Sequence, residues 1–257
     1  MSYSIVVGRW LMRLRPAPLA AVIKRLLCIR RQELATPQGT FWIDPGSYLG
    51  ATLARDGTYE PATLAVLQSV VRPGDAFVDI GANEGFFTVA ASRLVGPAGR
   101  VVAIEPQARL QEVLRRNLAL NACGNVEVAA VAITDAPGQA ELHLTPDMNN
   151  SASGLTSPTR YRLATQTVET VTLAEIFARR GLGEAVVKMD IESWEYEAIM
   201  GSQELFQTGR IRVLILELHE ALMARRGRDP ARIAALLADS GYQSRADVFG
   251  TVWTRHE

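Results

Sequence analysis

The sequence has few cysteines, and the two that it has are far apart. Cys28 and Cys123 form no CxxC pair, which excludes a zinc ribbon and a thioredoxin-type redox motif. Two isolated thiols are typical of a protein whose cysteines stay reduced in the cytoplasm. We therefore expect a cytoplasmic location.

Long apolar runs and an excess of charge are also missing. No run approaches the roughly 20 residues that a transmembrane helix needs, so no membrane span is expected. Lys+Arg and Asp+Glu number 27 each, which gives a formal net charge of +0 at pH 7. A neutral chain has no bulk electrostatic attraction to nucleic acid, so we expect no nucleic-acid partner.

The N-terminus departs from this balance, because residues 1–31 contain seven basic residues and no acidic one. Arg13, Arg15 and Pro16 interrupt the apolar core that a signal peptide requires. The spacing near residues 19–29 predicts an amphipathic helix. Such a helix either packs on the protein or contacts an acidic surface, a partner or a membrane.

Length and hydrophobicity favour one large domain with a small extension before it. The chain has 257 residues, of which 48% are hydrophobic, enough for a sizeable core. Residues 1–60 form the predicted helical and hairpin extension, because 34–60 are rich in Gly, Pro, Thr and aromatics. Pro61 begins a helical stretch, and the predicted main domain covers 61–257.

After residue 75 the pattern alternates between strands and helices. Short apolar runs of this kind suit a parallel sheet covered on both faces, which predicts a doubly wound α/β fold. In the helix after the second strand, Leu110, Val113, Leu114 and Leu118 share one face. The predicted strands cover 76–80, 101–104, 126–133, 186–191 and 211–218, and the predicted helices 86–95, 107–120 and 229–239.

A glycine-containing loop follows the first of these strands, where ligands of open α/β sheets bind. It contains Asp79, Gly81, Ala82, Asn83 and Gly85 in the pattern DxGxNxG. A dinucleotide fingerprint would be GxGxxG with a pyrophosphate on the helix N-terminus, and Asp79 would repel that group. S-adenosylmethionine carries an ammonium and a sulfonium instead, so a carboxylate beside it is favourable.

The ends of the next two strands supply further acids. Glu105, followed by Pro106, lies at the distance from the glycines where a carboxylate accepts hydrogen bonds from both ribose hydroxyls. Asp135 follows the predicted third strand and is a candidate for orienting the adenine. Its alternative role is that of a turn residue ahead of Pro137 and Gly138.

Several of these segments together resemble the FkbM-type methyltransferases. They are VDIGANEGFFTVAAS (78–92), VVAIEPQ (101–107), VVKMDIESWEYEAIMGS (186–202) and VLILELHE (213–220), with GTYEP (57–61) ahead of them. The resemblance implies a class I methyltransferase fold with a mostly parallel seven-stranded sheet. It also implies S-adenosylmethionine as donor, with Glu60 in its site, and O-methylation of a sugar, glycan or secondary-metabolite hydroxyl. Ser193 departs from the family pattern, which usually has Gly there.

The fourth and fifth predicted strands place a cluster of acids and one imidazole at adjacent strand ends. Asp190 and Glu192 share a side of the fourth strand by alternation, and Glu217 and His219 share one of the fifth. His219 is the predicted general base for a hydroxyl acceptor, with Asp190 or Glu217 orienting it or taking the proton. His143 and His256 lie outside this cluster. The run of Glu192, Glu195 and Glu197 has an alternative role as helix-start charges favoured by the helix dipole.

Several alternatives stay open at this point. Asp190 and Glu217 are candidates for holding Mg²⁺, although no metal ligand is assigned. N-methylation is the nearest alternative activity. An NAD-dependent oxidoreductase and a non-catalytic nucleoside-binding module are alternatives from other classes, and a homodimer is left open. The polar, turn-rich segment 145–160 is either a substrate-covering or an idle loop.

Overall fold

The computed structural model describes residues 26–144, 164–247 and 250–255. The basic helix near 19–29, except for its last residues, and the 145–160 loop lie outside the described residues, as does His256. Within the described residues, an N-terminal hairpin and two helices precede the alternating part of the chain. They are β1 (Gln32–Thr36), β2 (Gly39–Ile43), α1 (Tyr48–Asp56) and α2 (Pro61–Val70).

The alternating part follows in three runs. The first contains β3 (Ala76–Ile80), α3 (Phe86–Val95), β4 (Arg100–Ile104), α4 (Ala108–Leu120), β5 (Val126–Ala129), β6 (Val131–Ile133) and β7 (Gly138–His143). The second contains β8 (Thr165–Val171), α5 (Leu173–Arg179), β9 (Ala185–Met189), α6 (Glu195–Met200) and α7 (Gln203–Gln207). The third contains β10 (Ile211–Leu216), α8 (Glu220–Arg225), α9 (Ala231–Asp239), β11 (Tyr242–Asp247) and β12 (Gly250–Arg255).

A central seven-stranded sheet has the order β11-β12-β10-β9-β3-β4-β5. The strands from β10 to β5 are parallel, whereas β12 is antiparallel to both β10 and β11. Successive β3 side chains enter opposite cores, since Phe77 packs on one face and Val78 and Ile80 on the other. The predicted doubly wound, mostly parallel seven-stranded fold is therefore confirmed.

The third predicted strand, 126–133, is corrected by the structure, because it is two strands in two sheets. β5 ends at Ala129 and completes the central sheet, while β6 begins at Val131 and pairs with β8 in a separate three-stranded sheet of order β6-β8-β7. The apolar pattern of residues 126–133 does not indicate that the chain changes its pairing strand after Ala129. The exposed Asp135 consequently follows a strand of the smaller sheet.

The smaller sheet brings the two edges of the undescribed segment 145–163 together. β7 is antiparallel to β8, and His143 pairs directly with Thr165. The Leu144 amide donates to the Ala164 carbonyl at 2.9 Å, just beyond that pair. Residues 145–163 therefore leave and re-enter the sheet at neighbouring positions.

The N-terminal hairpin and α1 share a core with the central sheet. Phe41, Ile43 and Leu53 are buried in one cluster with Phe77 and Val101. The described part of the predicted extension is thus packed against the main domain.

None of the helices in the described part of the chain combines the length and the hydrophobicity that a membrane span needs.

Both cysteines are free thiols. Cys28 is exposed, and Cys123 is half-buried.

Candidate active site

The loop after β3 depends on glycine at two positions. Gly81 has a φ of 81°, and a Cβ there would lie 1.9 Å from the Asp190 carbonyl oxygen. Gly85 has a φ of 89°, and its Cβ would lie 2.4 Å from Leu114 Cδ1. Both conformations are open to glycine and costly for other residues. The loop therefore lies directly against the end of β9 and against α4.

A bidentate ion pair anchors the same loop to the chain before β1. Arg31 donates to the two carboxylate oxygens of the buried Glu84 at 2.8 and 3.0 Å. Asn117 of α4 donates to the Glu84 carbonyl at 2.7 Å and accepts from the Trp42 amide at 2.7 Å. The hairpin, α4 and the loop thus hold one another in place.

Glu105, just past β4, is oriented by two backbone amides. Its Oε2 accepts from the Asn83 amide and its Oε1 from the Gln107 amide, both at 2.9 Å. Burial raises the pKa of Glu105 to about 7, although these two amides oppose the rise. Each oxygen keeps a second lone pair, so the carboxyl is preset to accept from a pair of adjacent hydroxyls.

Glu105 lines a solvent-open cavity, which we call the main crevice; it holds about 710 Å³ of atom-free space, part of it open solvent. The structure brings five other predicted site residues to this cavity, namely Gly81, Asn83, Pro106, Asp190 and Glu192. Its apolar wall comes from Ile104, Leu110, Val131, Ala132, Ile133 and Leu142. Asp135, the candidate for orienting the adenine, is exposed and does not line the main crevice. The wall that β6 supplies through Val131, Ala132 and Ile133 is therefore apolar and not acidic.

Two smaller cavities adjoin the main crevice. The second cavity, about 350 Å³, includes Glu60, Thr63, Lys188, Asp190 and Glu217. The third cavity, about 370 Å³, includes Tyr59, Glu60, Gly81, Ala82, Asn83, Lys188 and Asp190. Asp190 lines all three spaces and is therefore their junction.

Asp79 lies behind these cavities. It is 1% exposed, accepts from the Thr88 hydroxyl at 2.6 Å and has Lys188 Nζ at 3.9 Å. Burial raises the pKa of the Asp79 carboxyl, while Lys188 and Thr88 oppose the rise. Asp79, which the sequence predicts at the donor's amino-acid end, therefore lies behind Lys188.

The structure brings His219 together with two of the predicted acids. His219 Nε2 lies 3.6 Å from Glu192 Oε2 and 3.9 Å from Asp190 Oδ1. Its Nδ1 lies 3.1 Å from Glu195 Oε1. Glu217 is on the opposite side of Asp190, in the second cavity.

Glu195 is the site residue that sequence reasoning missed. It is 0% exposed, and the oxygen that contacts His219 also accepts from the amides of Ile191 and Ser193 at 3.1 and 3.2 Å. Its position six residues after the end of β9 is the available sequence signal. Glu197, by contrast, pairs with Arg226 and Arg228 away from His219.

These contacts shift three pKa values. The hydrogen bond to Glu195, with the nearby carboxylates, raises the pKa of His219 to about 9. Burial raises the pKa of Glu192 to about 7, and His219 opposes this rise. Burial likewise raises the pKa of Glu217 to about 7. At neutral pH, His219 is therefore an imidazolium beside the Glu192 carboxyl, whose pKa is about 7.

The two predicted Mg²⁺ candidates, Asp190 and Glu217, do not belong to one close group. The group with ligand atoms within 4.8 Å of one another consists of Asp190, Glu192 and His219. Mg²⁺ prefers oxygen ligands in octahedral geometry, so the imidazole of His219 is a poor ligand for it.

Strained backbone is concentrated around the cavities. Glu60, Asn83, Glu192 and Ser193 have φ values of 42°, 51°, 54° and 85°. Such conformations persist at functional sites where the surroundings enforce them. Ser193 occupies the position where the family pattern has glycine, and its positive φ explains that preference.

We expect Ser193→Gly to stabilise the protein. Glycine relieves the positive φ, which should raise the free energy of unfolding by roughly 1–2 kcal/mol. The greater entropy of glycine in the unfolded chain should lower it by roughly 0.5–1 kcal/mol. Ser69→Gly, inside α2, should instead destabilise. Urea titration of both variants checks this, and an equal loss of stability in both would contradict it.

The fold, the glycine loop and the acid after β4 define a class I, Rossmann-like methyltransferase. The family model described as "Methyltransferase FkbM domain" matches residues 79–244. The chain belongs to the FkbM methyltransferase family. A model for protein-L-isoaspartate(D-aspartate) O-methyltransferase also matches residues 20–136.

Curated relatives match shorter segments. A probable cobalt-precorrin-6B C(15)-methyltransferase of Halobacterium salinarum is 37% identical over 91 residues, 35% of this chain and 45% of that protein. A ribosomal protein L11 methyltransferase of Caldicellulosiruptor saccharolyticus is 35% identical over 88 residues, 34% of this chain and 26% of that protein. The matched part of the chain thus spans less than half the length of these relatives.

Solved structures include the methyltransferase FkbM from Methylobacillus flagellatus KT, with a TM-score of 0.45 and 16% identity over 74% of this chain and 50% of that one. A precorrin-6y C5,15-methyltransferase from Geobacter metallireducens GS-15 has a TM-score of 0.43 and 14% identity over 75% and 87% of the two chains. Each of these family models and relatives is a methyltransferase, and none is an NAD-dependent oxidoreductase.

Proposed function

We propose that the protein methylates a hydroxyl oxygen of a small polyhydroxylated molecule, a sugar or a glycan. The observation that carries the proposal is the junction at Asp190, where Asp190 and Glu192 line the main crevice and His219 lies against both carboxyl groups. The adenosyl part of the donor would lie between Glu105 and the apolar wall, so that its methyl group points toward this junction.

Glu192 is the proposed general base. His219 holds a proton at neutral pH because its pKa is about 9, so it is a poor proton acceptor. The pKa of Glu192, raised to about 7 by burial, matches the task of a base at neutral pH. His219, held by Glu195, is a positioning residue that fixes the Glu192 carboxylate and balances its charge.

The reaction is an in-line displacement. The acceptor oxygen forms a bond to the methyl carbon while the bond between that carbon and the sulfonium sulfur breaks. The hydroxyl proton passes to Glu192, and the electron pair of the broken bond stays on sulfur. S-adenosylhomocysteine and a methyl ether leave, and Glu192 returns its proton to water. Asp190 orients the hydroxyl at the junction.

The second cavity is the proposed acceptor site. Its Glu60, Thr63 and Glu217 side chains offer acceptors and a hydroxyl to a ligand with several hydroxyl groups. An amine would also be attracted by these acids, so N-methylation is the rival that the experiment has to separate.

We expect methyl transfer from labelled S-adenosylmethionine to alcohols and not to their matched amines. A panel of sugars and amino sugars that differ only in that group, with and without EDTA, provides the measurement. Transfer to hydroxyls that EDTA does not reduce supports the proposal. Transfer to amines alone, loss of activity in EDTA, or donor binding without transfer to any member would contradict it.

A further inference from the structure

Lys188 is an unusual residue in this chain. The sequence contains two lysines, Lys24 and Lys188, against 25 arginines. Lys188 lies in the centre of the sheet on β9, is 5% exposed, and lines both the second and the third cavity. Buried ammonium groups need partners, so its surroundings decide its role.

Its known partners are too distant for hydrogen bonds. Nζ lies 3.9 Å from Asp79 Oδ1 and 4.0 Å from Asp190 Oδ2, whereas an N–H···O bond needs about 2.7–3.2 Å. It also lies 5.1 Å from the centroid of the Phe87 ring. These groups balance its charge, but the N–H groups are not engaged by either carboxylate.

The third cavity is the direct continuation of the main crevice. Gly81, Asn83 and Asp190 line both spaces. A donor whose ribose is bound by Glu105 would extend past Gly81, and its amino-acid end would enter this cavity.

That amino-acid end carries an ammonium and a carboxylate. Two of the acids lining the third cavity, Glu60 and Asp190, suit the ammonium and repel the carboxylate, whereas the third, Glu84, is already paired with Arg31. Among the described lining residues, Lys188 is the one cationic side chain. A buried carboxylate requires such a partner.

We infer that Lys188 Nζ donates hydrogen bonds to the α-carboxylate of the methionine part of the donor. Asp79, buried behind Lys188, is then a positioning residue that acts through the ammonium. The inference rests on the donor-binding part of the proposed function and is independent of the acceptor.

The test compares two ligands that differ in the amino-acid end. S-adenosylhomocysteine has it, and 5′-methylthioadenosine lacks it. In Lys188→Met, we expect the affinity for S-adenosylhomocysteine to fall about 10- to 100-fold, as for the loss of a charged hydrogen bond. The affinity for 5′-methylthioadenosine should stay nearly unchanged, and Lys188→Arg should restore part of the loss. Calorimetry on the full chain measures the affinities of the unmodified protein, Lys188→Met and Lys188→Arg for both ligands.

If Lys188 has only a structural role, Lys188→Met should lower the affinity for both ligands by the same factor. An unchanged ratio of the two affinities, with or without such a loss, would therefore overturn the inference. A failed acceptor panel leaves this comparison unaffected, so the two proposals fail separately.

A second measurement keeps Lys188 in place and therefore does not depend on whether Lys188→Met folds. Lysine labelled with ¹³C and ¹⁵N gives signals from two side chains, and Lys24→Arg assigns them. S-adenosylhomocysteine should shift the Lys188 signal strongly, whereas 5′-methylthioadenosine should leave it near its free position. Equal shifts with both ligands would contradict the inference.

Discussion

Gly81→Ala is expected to lower the free energy of unfolding by roughly 2–5 kcal/mol and to abolish donor binding. Two costs combine at this position. A non-glycine residue at a φ of 81° costs roughly 1–2 kcal/mol. The new Cβ would also lie 1.9 Å from the Asp190 carbonyl oxygen, and such overpacking costs roughly 1–3 kcal/mol.

Gly57→Ala is the matched control. Gly57 has a φ of 71°, but no atom lies within 4 Å of a Cβ built there. It should therefore show the conformational cost of about 1–2 kcal/mol alone. Denaturant titration measures both variants, and calorimetry with S-adenosylhomocysteine measures donor binding. Equal destabilisation in the two would show that the loop and the end of β9 are not in tight contact.

Glu192→Gln is expected to lower kcat by about 10²–10⁴, the range for loss of a general base. The affinity for S-adenosylhomocysteine should change little. In the unmodified protein, kcat/KM should rise with pH up to about 7, because the pKa of Glu192 is about 7 and the base works when deprotonated. It should fall above about 9, where His219 loses the proton that fixes Glu192.

Two further glutamates separate the roles. Glu217→Gln, in the second cavity, should raise KM for the acceptor more than it lowers kcat. Glu141→Gln, exposed on β7, should match the unmodified protein. If Glu192→Gln keeps both its rate and the rise of kcat/KM with pH, Glu192 is not the base.

The parts of the site that a short stretch of sequence can encode were predictable. Gly81 and Glu105 each follow an apolar strand, and parallel strands end at the same edge of a sheet. The position of Asp190 follows from the same rule. These predictions depend on local order along the chain.

The remaining features depend on contacts between distant segments. The break between Ala129 and Val131 is decided by pairing of β6 with β8, which begins more than thirty residues later. The role of Glu195 depends on His219, 24 residues away. His219 was predicted as a base from its ordinary pKa of about 6.5, but the hydrogen bond to Glu195 and the neighbouring carboxylates raise that pKa against the opposing effect of burial.

The pairing of His143 with Thr165 has a consequence for how such enzymes diversify. The chain between them starts and ends at one fixed point of the smaller sheet. Because β7 and β8 hold this register through their own ladder, a change in the number of residues between them can leave both strands in place. The wall that β6 gives to the main crevice then stays unchanged as well.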